Sequence, residues 1–140
     1  KRQFTIGICQ LVQHAALDAA TQGFEDALTA SFGENVTFDF QNAQGDSATC
    51  ATITNGFVSA GVDLIMANAT QAVISSATAT SDIPIVGTSV TDYVTTGTVK
   101  SNDAPGGNVT GTSDAISVDQ IMELADCLNY EYGRYMGWEI

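Results

Sequence analysis

Ten polar side chains recur where apolar runs of this sequence stop: Gln10 and Gln13, Gln41 and Asn42, Asn68 and Thr70, and Thr88, Ser89, Thr91 and Asp92. Nine of them are uncharged amides or hydroxyls, which donate and accept hydrogen bonds without titrating. Such groups suit reversible capture of a small polar ligand better than acid–base chemistry. Any of them can instead do no more than cap a helix. Backbone N–H groups at a helix start add a place for a carboxylate, favoured by the helix dipole.

Other chemistries lack their residues. The segment after the first apolar run, CQLVQHAAL, contains neither GxGxxG nor GxxxxGK, so a pyrophosphate has no glycine-rich cradle. No acidic pair follows that run, as a phosphoacceptor domain needs, and GTSVTD at 87–92 lacks the second glycine of a nucleophile elbow. His14 is the only histidine, and no base–nucleophile spacing surrounds it; a helix start or a pocket wall is its expected role. One histidine and scattered acids do not make a metal site. We expect no enzyme activity, no cofactor and no metal. Cys9, Cys50 and Cys127 form an odd set without CxxC spacing and read as buried, inert thiols. Three Asn-X-Thr sequons, at 35, 68 and 108, are what chance gives a chain rich in Asn and Thr.

Repeated units of strand and helix position the polar row. FTIGIC (4–9) reads as a buried strand, and residues 15–31 place Leu17, Ala20, Phe24, Ala27 and Leu28 on one helical face. NVTFDF (35–40) alternates like a half-buried strand; residues 45–61 form a second helix capped by Asp46 or Ser47 and stopped by Gly61. VDLIMA (62–67) and IPIVGTS (83–89) are the third and fourth strands, Pro84 being tolerable at a strand start, and TQAVISSATAT (70–80) is a third helix started by Thr70 or Asn68. Turn signals at Asn102-Asp103 and Pro105-Gly106-Gly107 precede a short strand at 108–112 and a helix at 115–128; the aromatic-rich tail 129–140 has no clear period. Alternating β and α elements predict an α/β fold, a doubly wound, flavodoxin-like parallel sheet with helices on both faces. Ligands then sit beyond the carboxyl ends of the strands, where strand order reverses.

The chain has 140 residues, 44% of them hydrophobic, enough for one core. Sixteen acidic residues against four Lys and Arg give a net charge of −12, which disfavours nucleic acid and anionic membranes and reads as a solvated surface. No run of about 20 apolar residues occurs, and the sequence opens close to its first strand, so a signal peptide, if the gene encodes one, is expected either to have been removed or to lie outside this sequence.

The segments FTIGICQLVQHAALDAATQGFEDAL, LIMANATQA, IPIVGTSVTDY and SNDAPGGNVTGTSD, followed by VDQIMEL, resemble the ABC-transporter substrate-binding proteins of the tryptophan/tyrosine-binding type. The resemblance runs from about residue 4 to 124, with its motifs in order. It implies a type I periplasmic-binding fold and a lipid-anchored extracellular or periplasmic protein. Such a protein hands a small solute, commonly an aromatic amino acid, to an ABC permease. It carries ligand contacts onto Gln10, Leu11 and His14, onto Asn68, Ala69 and Thr70, and onto Thr88, Ser89 and Val90. Small Ala69 would admit a ligand carboxylate to backbone N–H groups, with Leu11 and Val90 against the apolar part. Asp92 caps or contacts the hinge. Family members enclose the ligand between two lobes. We therefore expect residues 1–128 to form an N-terminal solute-binding lobe, followed by a tail at 129–140 in place of a second lobe. If closure supplies about half the binding free energy, a micromolar site near −8 kcal/mol weakens to roughly millimolar. The alternative is a half-domain that self-associates as a homodimer through its exposed cleft face.

Overall fold

A computed structural model describes residues 3–112. The strands are β1 (Phe4–Gln10), β2 (Val36–Asn42), β3 (Leu64–Asn68), β4 (Ile85–Thr88) and β5 (Val109–Gly111); the helices are α1 (Ala15–Phe32), α2 (Ser47–Ala60) and α3 (Thr70–Ala79). All strands are parallel, in the order β2-β1-β3-β4-β5. The chain winds outward from β1 to β2, then returns past β1 to β3, so strand order reverses between β1 and β3. This is the doubly wound, flavodoxin-like α/β layout predicted from the alternation of elements.

The period-2 pleat sorts side chains onto two faces. Ile6, Ile8, Leu64, Met66 and Val86 pack with Phe24, Ala27 and Leu28 of α1. Cys9, Ile65, Ala67 and Ile85 point the other way, onto Cys50 and Phe57 of α2 and Ala72 and Val73 of α3. Both faces are covered, which is why β3 and β4 read as unbroken apolar runs.

Local chemistry sets the boundaries. Asp46, not Ser47, is the N-cap of α2: its carboxylate accepts from the Thr49 amide at 2.8 Å and the Thr49 hydroxyl at 2.6 Å. Those hydrogen bonds, the hydroxyl's first, hold its pKa below the ordinary carboxylate value. Gly61 closes α2 in the left-handed region at φ 69°, where a Cβ is disfavoured. β3 starts two residues later than its apolar run. Asp63 is the reason: its carboxylate accepts from the Thr5 amide while its own amide donates to the Thr5 carbonyl, both at 2.8 Å. β4 is shorter than IPIVGTS at both ends, since Pro84 has no N–H and Ser89 turns to φ 60°. The third helix departs most from expectation. Its N-cap position is Ala69, and neither Asn68 nor Thr70 lends a side-chain cap. The helix expected at 115–128, the tail at 129–140 and Cys127 lie outside the described residues.

Glu25 of α1 is half-buried, and burial, reinforced by neighbouring Asp26, raises its pKa above the ordinary glutamate value. Between the unfolded and the raised folded value the folded chain binds more protons. Glu25 therefore favours the fold least once pH has risen through that window. Glu25→Gln is expected to raise the thermal midpoint slightly at pH 7. The gain should vanish below pH 4, where both states carry the neutral acid; melting curves across that range check it.

Candidate functional site

The register brings the polar row together. Gln10 lies opposite Asn42 on one side and Asn68 on the other, and Asn68 lies opposite Thr88, so four strand-terminal residues stand in line across the carboxyl edge. Their side chains then divide. Gln10 and Asn68 are fully buried and Thr88 nearly so.

Beneath α1 the two amides form a network. Asn68 Nδ2 donates to the Leu17 carbonyl and to Thr21 Oγ1, both at 2.9 Å; Thr21 Oγ1 donates to Gln10 Oε1 at 2.7 Å. Gln10 Nε2 donates to Asp18 Oδ1 at 2.7 Å and the Val12 carbonyl at 2.9 Å. Carbonyl and carboxylate acceptors cannot donate, so both amide orientations are fixed by their partners. The network ties β1 and β3 to α1 and uses these side chains internally. Asn68 Oδ1 remains the one buried side-chain nitrogen or oxygen among the described residues without a hydrogen-bond partner.

Thr21 and Asp18 are network members that the sequence pattern did not single out. Their three-residue spacing on one helical face is the signal that could have found them.

Past this row the backbone is strained at two adjacent points. Ala69 follows Asn68 at φ 93°, ψ 162°, and Ser89 follows Thr88 at φ 60°. Because Asn68 and Thr88 are register partners, these two non-glycine residues are neighbours, and the Ala69 amide donates to the Thr88 carbonyl at 2.9 Å. Positive φ outside glycine costs on the order of 1–3 kcal/mol and clusters at functional sites. Here it turns the chain directly into the start of α3, which no side chain caps.

The other residues expected to contact a ligand are placed differently from one another. Leu11 is half-buried and its amide donates to the Asn68 carbonyl at 3.1 Å. His14 is exposed and is the N-cap of α1, its Nδ1 accepting from the Ala16 amide at 3.1 Å. Thr70 and Ser89 are half-buried, while the Val90 side chain is fully buried in the core under α3. Asp92 accepts from the Thr95 hydroxyl at 2.7 Å and from the amides of Val94 and Thr95, which lowers its pKa; it caps a turn. Beside Val90 and Asp92 lies a pocket of about 200 Å³, also bounded by Tyr93, Val99 and Thr110. Desolvation pushes the Cys9 thiol up to about 12 and raises that of Cys50, so both stay protonated at neutral pH.

A doubly wound parallel sheet with polar groups gathered along its carboxyl edge is the layout in which α/β folds place small-molecule sites. The chain belongs to the ABC transporter substrate binding protein family, whose model matches residues 5–128. Among its relatives is the tyrosine-binding protein of Clostridioides difficile (strain R20291), 49% identical over 131 residues, which cover 91% of this chain and 38% of that protein. A Streptococcus pneumonia ABC domain in complex with L-Trp superposes with a TM-score of 0.76 at 37% identity, over 79% of this chain and 38% of that one. A ligand-free, open substrate binding protein with adhesive properties from Clostridium difficile gives 0.77 at 46% identity, over 91% and 44%. The chain thus spans less than half the length of each.

Proposed function

We propose that residues 1–128 act as a solute-binding lobe of an ABC importer, taking an aromatic amino acid at the carboxyl edge of the sheet. The observation that carries this is the pair of strained neighbours, Ala69 and Ser89, at the open start of α3. The ligand carboxylate meets the first N–H groups of α3, which the small Ala69 side chain leaves approachable. Leu11, His14, Thr70 and Ser89 flank it. Gln10, Asn68 and Thr88 act from behind, by holding the strand ends, and Val90 by packing under them. The L-Trp complex and the tyrosine-binding relative support an aromatic amino acid as the solute. The same reading implies an extracellular or periplasmic, lipid-anchored protein delivering its solute to a membrane permease.

Calorimetric titration of this chain with L-Tyr and L-Trp tests the reading. Saturable binding at about millimolar Kd is expected, the affinity left to one lobe of a micromolar cleft. Heats no different from those of L-Ala would refute the aromatic assignment. Ala69→Gly is expected to raise stability by about 1 kcal/mol by relieving the positive φ, and to weaken solute binding because the turn is no longer fixed. Urea denaturation and the same titration read both effects. A second reading, association of two copies through this edge, draws on Val12 and Val94, 37% and 43% exposed in the loops that leave β1 and β4. Sedimentation showing a monomer at high concentration would remove it.

A further inference from the structure

Cys9 and Cys50 are free thiols in this structure, and both are fully buried. A buried thiol usually serves as a small apolar packing group. What sets this pair apart is that the two face each other. Cys9 lies near the end of β1 on the face that α2 covers, two residues beyond Gly7 and so on the same side of the pleat. Cys50 lies in the first turns of α2, seven residues before Phe57, so those two share one face of the helix. Because β2 and β3 both run parallel to β1, α2 runs back against the direction of β1. The Phe57 ring lies directly on Gly7. That contact sets the helix so that Cys50 comes down over Cys9, where the two thiols hydrogen-bond one another.

A disulfide needs two Cβ vectors that converge, and thiols in mutual contact on facing elements supply them. The loop so closed takes in all of α1 and β2, so the bond would remove much freedom from the unfolded chain. The same burial says when the bond forms. Desolvation holds both thiols above their ordinary pKa, so the packed interior seldom offers an attacking thiolate. Fully buried sulfurs also leave an oxidant no approach. Exchange therefore belongs to the folding chain, before α2 closes over β1.

We propose that Cys9 and Cys50 form a disulfide that staples α2 to β1, made by thiol–disulfide exchange as the chain folds, with a small-molecule disulfide as oxidant. The Cys50 thiolate attacks one sulfur of the oxidant, whose S–S bond breaks and releases one small thiolate. The Cys9 thiolate then attacks Sγ of Cys50, breaking the mixed disulfide and releasing the second. The two protons end on the released thiols, and the oxidant takes up two electrons. The bond does not depend on solute binding at Ala69 and Ser89.

The test refolds the whole chain in a glutathione redox buffer, alkylates the remaining thiols and maps its peptides without reductant. The expected product is a peptide pair joining Cys9 to Cys50, two hydrogens lighter than the free peptides, with Cys127 alkylated. The chain folded beforehand under reductant should acquire the bond about tenfold or more slowly in the same buffer, because its thiols are enclosed. Equal rates would overturn the assignment to the folding chain. The oxidised chain should melt on the order of 10 °C above the same chain in a phosphine reductant. Cys50→Ala should erase that difference, and Cys127→Ser should keep it. The peptide map uses the unaltered chain, so it decides even where Cys50→Ala does not fold. The proposal fails if Cys9 and Cys50 are both alkylated after oxidative refolding, if either is bridged to Cys127, or if oxidised and reduced chains melt together.

Discussion

Gly7→Ala is expected to destabilise this chain by about 2–3 kcal/mol, the upper range for forcing a methyl into a packed core. Gly7 lies in β1, the second strand in the sheet order, on the face that α2 covers. A Cβ there would stand 2.6 Å from Cγ of Phe57 and within 2.8 Å of both flanking ring carbons. The ring cannot swing away cheaply, because Phe57 is 2% exposed and enclosed by the cluster between the sheet and α2 and α3. Either α2 moves off the sheet or β1 bends, and β1 carries pairing on both sides. Chemical denaturation should report the loss. Phe57→Leu alone should cost stability through lost contact, but added to Gly7→Ala it should recover part of the deficit. Simple additivity of the two changes would show that the glycine is not there to admit the ring.

Asn68→Leu should cost about 1–3 kcal/mol, since it removes the amide donor shared by acceptors on α1 and keeps the volume roughly constant. The Leu17 carbonyl and Thr21 Oγ1 each lose a 2.9 Å hydrogen bond, and Gln10 Oε1 loses a longer contact at 3.5 Å. Thr21 retains its donation to Gln10, so the network is broken at one end only. The physical signature is non-additivity. In the Asn68→Leu/Thr21→Val double variant, two groups that need each other are gone together, and the total loss should be smaller than the sum of the single losses. Hydrogen exchange in the first turns of α1 should quicken in the single Asn68 variant, because that helix loses its anchor to β3. Solute affinity should fall as well, although Asn68 is fully buried. The effect would pass through the position of Ala69 and the start of α1.

The alternation of elements was legible because the periods that betray it are local. Residues 15–31 carried the helical spacing, and Ala15–Phe32 is the observed helix. A cap that uses a side chain was also legible: Asp46 was one of two candidates, and its bonds to Thr49 decided between them. The start of α3 was not, because a capping side chain was expected and a strained alanine stands there instead. Backbone φ at a non-glycine residue leaves no mark in composition or period; the surrounding sheet imposes it.

The polar row shows the same division. Sequence alone placed Gln10, Asn68, Thr88 and Ser89 at or just past the ends of strands, and hence on one edge of a doubly wound sheet, since parallel pairing aligns like ends; β4 in fact stops at Thr88. Only the tertiary structure decided which way each side chain turns. Gln10 and Asn68 point beneath α1 because Thr21, Leu17 and Asp18 offer them partners there, and a buried amide without partners is costly. In the proposed site, the groups left to meet a solute are mostly backbone N–H at the start of α3, beside two positive-φ residues that packing, not propensity, holds in position.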